Sequence, residues 1–318
     1  MFDAPIQDEV ELAFQSKQLL KKLSNPPTKK ELIEISSTYS VDIATRCFYE
    51  GIKLSKHKQT IDEINDQSIE PCKIKNNILL YVIPGMFYKE HPELGTNGIL
   101  IGEIAKKFGI QTKFIQTKSL GSIEENAEIL KQQLEQETHP NIWLLSISKG
   151  SCDVRSFIQS DQNIDNIGGW IDLCGIHQGV PFIDKAFQSV LSRMYLRVIS
   201  IIFKIPFTAF IEMKTSDQRW KNNNWPKNIK SFHVVPVPLQ SHVHHSLLRR
   251  YKQTLVHGPN DGFIPIADSL NMPGCIYPIW SYDHYLRNPN LSQLLYKLFN
   301  YLLTTKSHET TILPKRTT

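Results

Sequence analysis

The most constraining feature of the sequence is an alternation, from Asn77 onward, of short apolar runs with longer amphipathic stretches. The apolar runs have strand length and are ILLYVIPG, QTKFIQT and NIWLLSIS, and the helical stretches between them are GILIGEIAKKFGI and EENAEILKQQLEQE. Strands that alternate with helices are typical of a parallel sheet with helices on both faces. We therefore expect an α/β fold built on a doubly wound, mostly parallel sheet.

The alternation continues toward the C-terminus with one long interruption. Further strands are predicted over GWIDLCG, KQTLVHG and CIYPIWS, and a last helix over LSQLLYKLFNYLL. Over about 176–230 the alternation stops, and an apolar, aromatic stretch of helical spacing indicates a lid or cap insertion. We expect an N-terminal helical extension over 1–72, an α/β domain over 73–304 that contains this insertion, and a flexible tail over 305–318.

Charge and cysteine usage exclude several classes of protein. The net charge of +5, from 36 basic and 31 acidic residues, is too small for a dedicated nucleic-acid-binding protein. The five cysteines are scattered without a CxxC pair, which predicts reduced thiols and neither a disulfide framework nor a zinc site. The histidines of SHVHHS have no carboxylate at helpful spacing, so we interpret them as a polar loop. We predict no cofactor, no metal and no nucleic-acid partner.

The N-terminal residues and the hydropathy of the chain bear on its location. The start, MFDAPIQDEVELAF, lacks the basic segment and apolar run of a signal peptide, and no stretch has 18 uninterrupted apolar residues. We therefore expect a cytoplasmic protein.

The most specific local signal is the pentapeptide SISKG around Ser148, which lies between a predicted strand and a predicted helix. A serine exposed at a tight strand-to-helix turn requires small residues two positions before and after it, and Ser146 and Gly150 meet this requirement. Ser148 is therefore a candidate nucleophile. The alternative interpretation is an ordinary helix N-cap.

A serine nucleophile requires a base and an acid that orients the base. In this architecture the chain order is serine, acid, histidine, with the partners after strand ends. Asp261 follows the predicted strand KQTLVHG, and His284 follows CIYPIWS. We predict Asp261 as the acid and His284 as the base, with Asp172, at the end of GWIDLCG, as the rival acid.

An acyl-transfer site also requires backbone N–H donors for the oxyanion. The residue after the nucleophile supplies one donor, here Lys149, and the loop after the first strand supplies another, here Met86. Gly85 and Gly150 would support the two turns that carry these donors.

The combination of IPGMFY, SISKG, HGPNDGFIP and YDHYL resembles the α/β-hydrolase superfamily, particularly its lipases and esterases, over residues 77–304. The resemblance implies a triad of Ser148, Asp261 and His284 and an oxyanion hole at Met86 and Lys149. The chain departs from the family pattern at Ser146, where the elbow has its first glycine, and at Pro84, where lipases often have histidine. These departures leave the substrate class open.

The predicted insertion indicates a substrate class. Residues 185–230 hold nine basic and two acidic side chains, and Arg193 and Arg197 are spaced for one helix face. Apolar residues with a cationic rim suit lipid-like acyl esters and an anionic membrane surface, although the same residues could simply pack the insertion onto the core. We expect a serine hydrolase of the carboxylesterase or lipase type. Thioester hydrolysis, acyl transfer and a catalytically silent binding module are the alternatives.

Overall fold

One sheet of six parallel strands organises the molecule, and a computed structural model describes it over residues 9–72, 77–160 and 165–304. The strand order across the sheet is β2-β1-β3-β4-β5-β6. The strands are β1 Leu79–Ile83, β2 Gln111–Phe114, β3 Ile142–Ile147, β4 Ile167–Leu173, β5 Lys230–Val237 and β6 Cys275–Trp280. The predicted α/β class with a doubly wound parallel sheet is confirmed.

Helices cover the sheet on both faces and precede it in the chain. In chain order they are α1 Glu9–Leu20, α2 Lys29–Thr38, α3 Val41–Leu54, α4 Lys58–Asn65, α5 Ile99–Lys107, α6 Ile123–Leu134, α7 Gly150–Gln159, α8 Pro181–Phe187, α9 Val190–Ile202, α10 Phe207–Glu212, α11 His245–Thr254 and α12 Leu291–Thr304. The inner strands β1 and β3 are buried at every position, as expected for a parallel sheet enclosed by helices. This burial explains why the sequence contains apolar runs at these strands.

One predicted strand is wrong. The segment KQTLVHG forms the end of α11 and a short 3₁₀ turn, because Leu247, Tyr251 and Thr254 are buried at helical spacing while Val256 is 73% exposed. The strand at this place in the sheet is β5, which lies earlier in the chain and was not predicted. Pro236 lies within β5 and has no backbone N–H to donate. Because β5 pairs with β4 only as far as Val234, no hydrogen bond to β4 is lost at Pro236.

This correction changes the setting of Asp261. Contrary to the prediction, Asp261 does not follow a strand. It lies in a turn that is held by a backbone bridge between Asn260 and Pro265. His284 does follow β6, in the loop that begins at Ser281.

The N-terminal helices cover the free edge of β6. The backbone N–H of Ile276 donates to Nδ1 of His57 at 3.4 Å, and the Tyr277 hydroxyl donates to Asn65 Oδ1 at 2.6 Å. Trp280 donates to Glu9 Oε2 at 2.9 Å. An unpaired parallel edge is prone to aggregation, so these helices protect it. Burial, together with the charges of Lys56 and His233, lowers the pKa of His57 to about 4.

The long interruption of the alternation corresponds to three helices, α8, α9 and α10, between β4 and β5. We call residues 176–229 the insertion. No helix among the described residues combines the length and the apolar character needed to cross a bilayer. The five cysteines are free, and all but Cys72 are buried. The tail predicted over 305–318 lies outside the described residues.

Candidate active site

Ser148 lies at the sharp turn between β3 and α7. Its φ of 51° is in the left-handed region, which a residue other than glycine adopts at a cost of about 1–3 kcal/mol. The turn is held because the backbone N–H of Ser148 donates to Leu173 O at 2.9 Å. The N-cap of α7 is Lys149, so the structure does not fit the alternative in which Ser148 caps this helix.

The small flanks of Ser148 are explained by their surroundings. A Cβ at Gly150 would lie 2.6 Å from the carbonyl oxygen of Pro84, closer than real side chains approach. Ser146 is fully buried, and its hydroxyl accepts a hydrogen bond from Trp170 Nε1 at 2.8 Å. Ser146 therefore carries a side chain that takes part in a buried polar network.

The three residues predicted as a triad form a continuous hydrogen-bonded relay. Ser148 Oγ lies 2.8 Å from His284 Nε2, and His284 Nδ1 lies 2.7 Å from Asp261 Oδ2. The second oxygen of Asp261 accepts the backbone N–H groups of Phe263 and Ile264 at 2.8 and 2.9 Å. These contacts orient the imidazole so that Nε2 faces the serine hydroxyl.

The rival acid Asp172 lies in a different polar cluster. Its Oδ2 is 3.0 Å from His233 Nδ1 and 3.2 Å from His177 Nε2, and its Oδ1 accepts a hydrogen bond from the Ser151 hydroxyl. The contacts of His284 Nδ1 go to Asp261 instead. This cluster was not predicted from the sequence, because Asp172 and His233 are 61 residues apart in the chain and meet only where β4 pairs with β5.

The loops that carry the two predicted oxyanion donors touch each other beside Ser148. A Cβ at Gly85 would lie 3.1 Å from Ile147 O, and Gly150 packs on the end of β1. Met86 follows Gly85 directly, and Lys149 follows Ser148. Both glycines therefore have the close backbone approach that was predicted from the sequence.

The side chain of Lys149 is buried beneath the turn. Its ammonium lies 2.7 Å from Asp153 Oδ1 and donates to Ser122 O at 3.2 Å. Burial raises the pKa of Asp153 to about 6, although the charge of Lys149 opposes this shift. Asn126 donates to the other oxygen of Asp153 at 3.0 Å. This buried pair links the turn to α6 and was not predicted from the sequence.

The insertion has two different faces. Its inner face joins a buried apolar cluster that includes Ile183, Phe210 and Trp220 and is flanked by Met86 and Phe263. On its outer side, α9 buries only Leu196 and leaves large apolar residues exposed between basic ones. The exposed apolar residues are Val190, Leu191, Met194, Tyr195, Val198, Ile201, Ile202 and Phe203. This exposure does not fit the interpretation in which they pack onto the core.

Comparison with solved structures identifies the architecture. A metagenomic carboxyl esterase superposes with a TM-score of 0.58 at 17% identity, over 73% of this chain and 77% of that chain. The mature form of a Bacillus licheniformis lipase, BlEst2, superposes with a TM-score of 0.54 at 20% identity, over 75% of this chain and 96% of that one. The chain has the α/β-hydrolase fold. Neither a protein-family model nor a curated protein matches the sequence.

Within the α/β-hydrolase fold, the relay of Ser148, His284 and Asp261 lies at the carboxyl-terminal side of the parallel strands. Ser148 follows β3, and His284 follows β6. In open α/β sheets this side is where ligands bind. The fold and the relay therefore point to the same edge of the sheet.

Proposed function

We propose that this α/β-hydrolase-fold protein is a serine hydrolase that cleaves carboxylic esters through an acyl-enzyme on Ser148. The observation that carries the proposal is the hydrogen-bonded relay from Ser148 Oγ through His284 to Asp261, in which the outer carboxylate oxygen is also held by two backbone N–H groups. A serine hydroxyl becomes nucleophilic when a base so oriented removes its proton. The carboxyl esterase and the lipase with similar folds are consistent with this activity.

The proposed reaction has two halves. His284 Nε2 takes the proton of Ser148 while Oγ attacks the ester carbonyl carbon, and the N–H groups of Lys149 and Met86 stabilise the resulting oxyanion. The tetrahedral intermediate then collapses, and the leaving alkoxide takes the proton from the imidazolium. Water, deprotonated by the same imidazole, releases the acid and restores Ser148.

Apolar surroundings support an acyl group of lipid type. The ring of Phe263 stacks on the imidazole of His284, with centroids 4.8 Å apart, and Phe182 of α8 packs edge-on against Phe263 at 5.1 Å. These rings connect the base to the inner apolar face of the insertion. An acyl chain that leaves the ester carbonyl in this direction would bury its methylene groups, each worth about 0.8 kcal/mol.

The outer face of α9 supports contact with an anionic membrane surface. Leu191 and Ile201 are 79% and 77% exposed, and Arg193 and Arg197 are exposed beside them. A helix with exposed apolar and cationic side chains binds interfaces by apolar burial and electrostatic attraction together. We propose that the insertion acts as a lid and docks on an anionic membrane surface through the outer face of α9. We also propose a cytoplasmic location, in which the five cysteines would stay reduced.

The first test is labelling by a fluorophosphonate probe, which reacts with activated serines. We expect the wild type to be labelled, the Ser148→Ala variant to be unlabelled, and the Ser156→Ala variant, which changes a half-buried serine of α7, to be labelled like the wild type. Labelling that persists in Ser148→Ala would exclude Ser148 as the nucleophile. An unlabelled, folded wild type, with detergent present to expose the site, would favour a silent binding module.

Substrate panels then separate the chemical alternatives. We expect p-nitrophenyl esters to be hydrolysed with a preference for medium or long acyl chains, and the matching thioesters to be slower. A preference for thioesters, or transfer of the acyl group to an added alcohol in place of water, would favour the thioesterase or acyltransferase alternative.

A further inference from the structure

Outside the proposed active-site relay, two buried imidazoles converge on one oxygen of a buried carboxylate. Asp172 of β4, His177 in the loop after β4 and His233 of β5 are at most 4% exposed. His233 Nδ1 lies 3.0 Å, and His177 Nε2 lies 3.2 Å, from Asp172 Oδ2. The proposed mechanism uses none of them.

The hydrogen bonds of His233 show that this cluster requires one additional positive charge. Its Nε2 lies 2.9 Å from the carbonyl oxygen of Pro273, which can only accept, so Nε2 carries a hydrogen. In a neutral imidazole, Nδ1 is then a lone pair, and it faces a carboxylate oxygen that also only accepts. Either an extra proton or a cation has to lie between them, and the imidazole of His177 is directed at the same oxygen.

We propose that Asp172, His177 and His233 form a structural site for a divalent ion of the zinc class. Zinc prefers imidazole nitrogen and carboxylate oxygen at about 2.0–2.2 Å, which in a tetrahedron puts ligand atoms about 3.4 Å apart. The three ligand atoms lie within 4.8 Å of one another, so small movements complete the geometry. Calcium and magnesium prefer all-oxygen sites, and two imidazoles disfavour them.

The surroundings orient the ligands as in known metal sites, where a ligating histidine donates its remote N–H to a carbonyl or carboxylate. Pro273 O has this role for His233. The Ser151 hydroxyl donates to Asp172 Oδ1, which leaves Oδ2 for the ion. Arg155 donates to the carbonyl of His177 at 2.5 Å and fixes the loop that carries this imidazole.

Backbone packing closes the site on one side. A Cβ at Gly175 would lie 2.1 Å from Asp172 Oδ1, so the loop to His177 crosses directly over the carboxylate. His177 and Asp261 border the same small cavity. The ion would join β4, β5 and the start of the insertion next to the acid of the relay.

The test uses full-length protein purified without a polyhistidine tag. After treatment with dipicolinate, the protein is reloaded with Zn²⁺ or Co²⁺. We expect about one ion per chain by mass spectrometry, visible d–d bands of Co²⁺, and a Tm increase of about 4 °C at zinc 100-fold above its Kd. The variants His177→Gln and His233→Gln should each lose the bound ion and the Tm increase.

The exposed histidines provide the matched control. The rings of His244 and His245 are 4.0 Å apart and could retain zinc at the surface. The double variant His244→Gln/His245→Gln should keep one ion per chain and the full Tm increase, and loss of the ion from it would overturn the proposal.

X-ray absorption at the zinc edge of the wild type tests the ligands without any variant. A shell with two imidazoles and at least one oxygen is expected, and a shell with sulfur, or without imidazole, would contradict the site. A wild type that takes up no zinc or cobalt and shows no Tm change, even when refolded with zinc, would also overturn it. None of these readouts depends on esterase activity, so they stand apart from the proposed function.

Discussion

Asp261 forms hydrogen bonds with backbone groups as well as with the imidazole of His284. One of its oxygens accepts two N–H groups from the turn that follows it, and the backbone N–H of His284 donates to its carbonyl at 2.9 Å. Acid and base are therefore joined through both their backbones and their side chains. The side chain of Asp261 can be changed while this backbone link remains.

We expect Asp261→Asn to lower kcat for an ester substrate by about 10³–10⁴-fold with little change in Tm. An amide at this position can present N–H to Nδ1 and favour the tautomer in which Nε2 is protonated and cannot accept the serine proton. Steady-state kinetics together with a thermal melt checks both statements.

The control is Asp283→Asn, which changes the acid next to the proposed base. Asp283 accepts backbone N–H groups from His244 and Tyr285. Its variant should lose far less activity than Asp261→Asn. Equal losses, or near-native activity of Asp261→Asn, would show that Asp261 does not orient the base.

At the scale of elements, the junction between the N-terminal helices and β6 contains a pH-sensitive contact. His57 is 5% exposed and accepts the edge N–H of Ile276, which requires a neutral imidazole. The pKa of His57 in the folded chain is about 4, below the ordinary 6.5. Between these two pH values the unfolded chain binds a proton at His57 and the folded protein does not. The stability from this contact is full above pH 6.5 and is lost as the pH falls toward 4.

We expect the wild type to lose about 1–2 kcal/mol more unfolding free energy than His57→Gln when the pH falls from 7.5 to 5. Urea unfolding of both proteins at the two pH values measures this difference. Glutamine keeps an acceptor but does not titrate, so the variant removes only the proton uptake. Parallel losses in both proteins would mean that His57 is protonated as readily in the folded state as in the unfolded state.

Positive charge is concentrated in one segment of the chain. Residues 185–230 carry nine basic and two acidic side chains, and this local excess is larger than the +5 of the whole chain. The rest of the sequence is therefore net acidic. If the insertion docks as proposed, we expect this distribution to orient the molecule so that the outer face of α9 meets an anionic surface first.

We expect Arg193→Gln/Arg197→Gln to weaken association with phosphatidylserine vesicles about 10–30-fold at low salt, since each basic residue near the surface contributes about 1 kcal/mol. The difference from wild type should shrink as salt rises, because the attraction is screened. Leu191→Ser/Ile201→Ser should weaken association at every salt concentration. Vesicle sedimentation measures both.

A matched pair of exposed basic residues outside the insertion is available on α5. Lys106→Gln/Lys107→Gln removes the same charge and should bind vesicles nearly like the wild type. Equal weakening by the α5 and α9 variants would indicate a general charge effect and contradict docking through the insertion.

Local patterns in the sequence were sufficient for much of the fold. The apolar runs that became β1, β3, β4 and β6 are almost fully buried, and this burial favours a mostly apolar composition. Ser148 and Gly150 were recognisable for a similar reason, because a sharp turn between a strand and a helix limits residue size within five positions. Where the physical constraint is local, the sequence carries it.

The tertiary structure decided what depends on residues distant in the chain. KQTLVHG is helical at its start because it ends α11, in which Leu247 and Tyr251 are buried on one face. The place of β5 in the sheet is visible only from its position between β4 and β6. Which acid contacts His284 was likewise open in the sequence, since Asp172 and Asp261 are both plausible there. Asp172 meets His233 only because β4 and β5 are paired, and a pairing across 61 residues leaves no pattern in the chain itself.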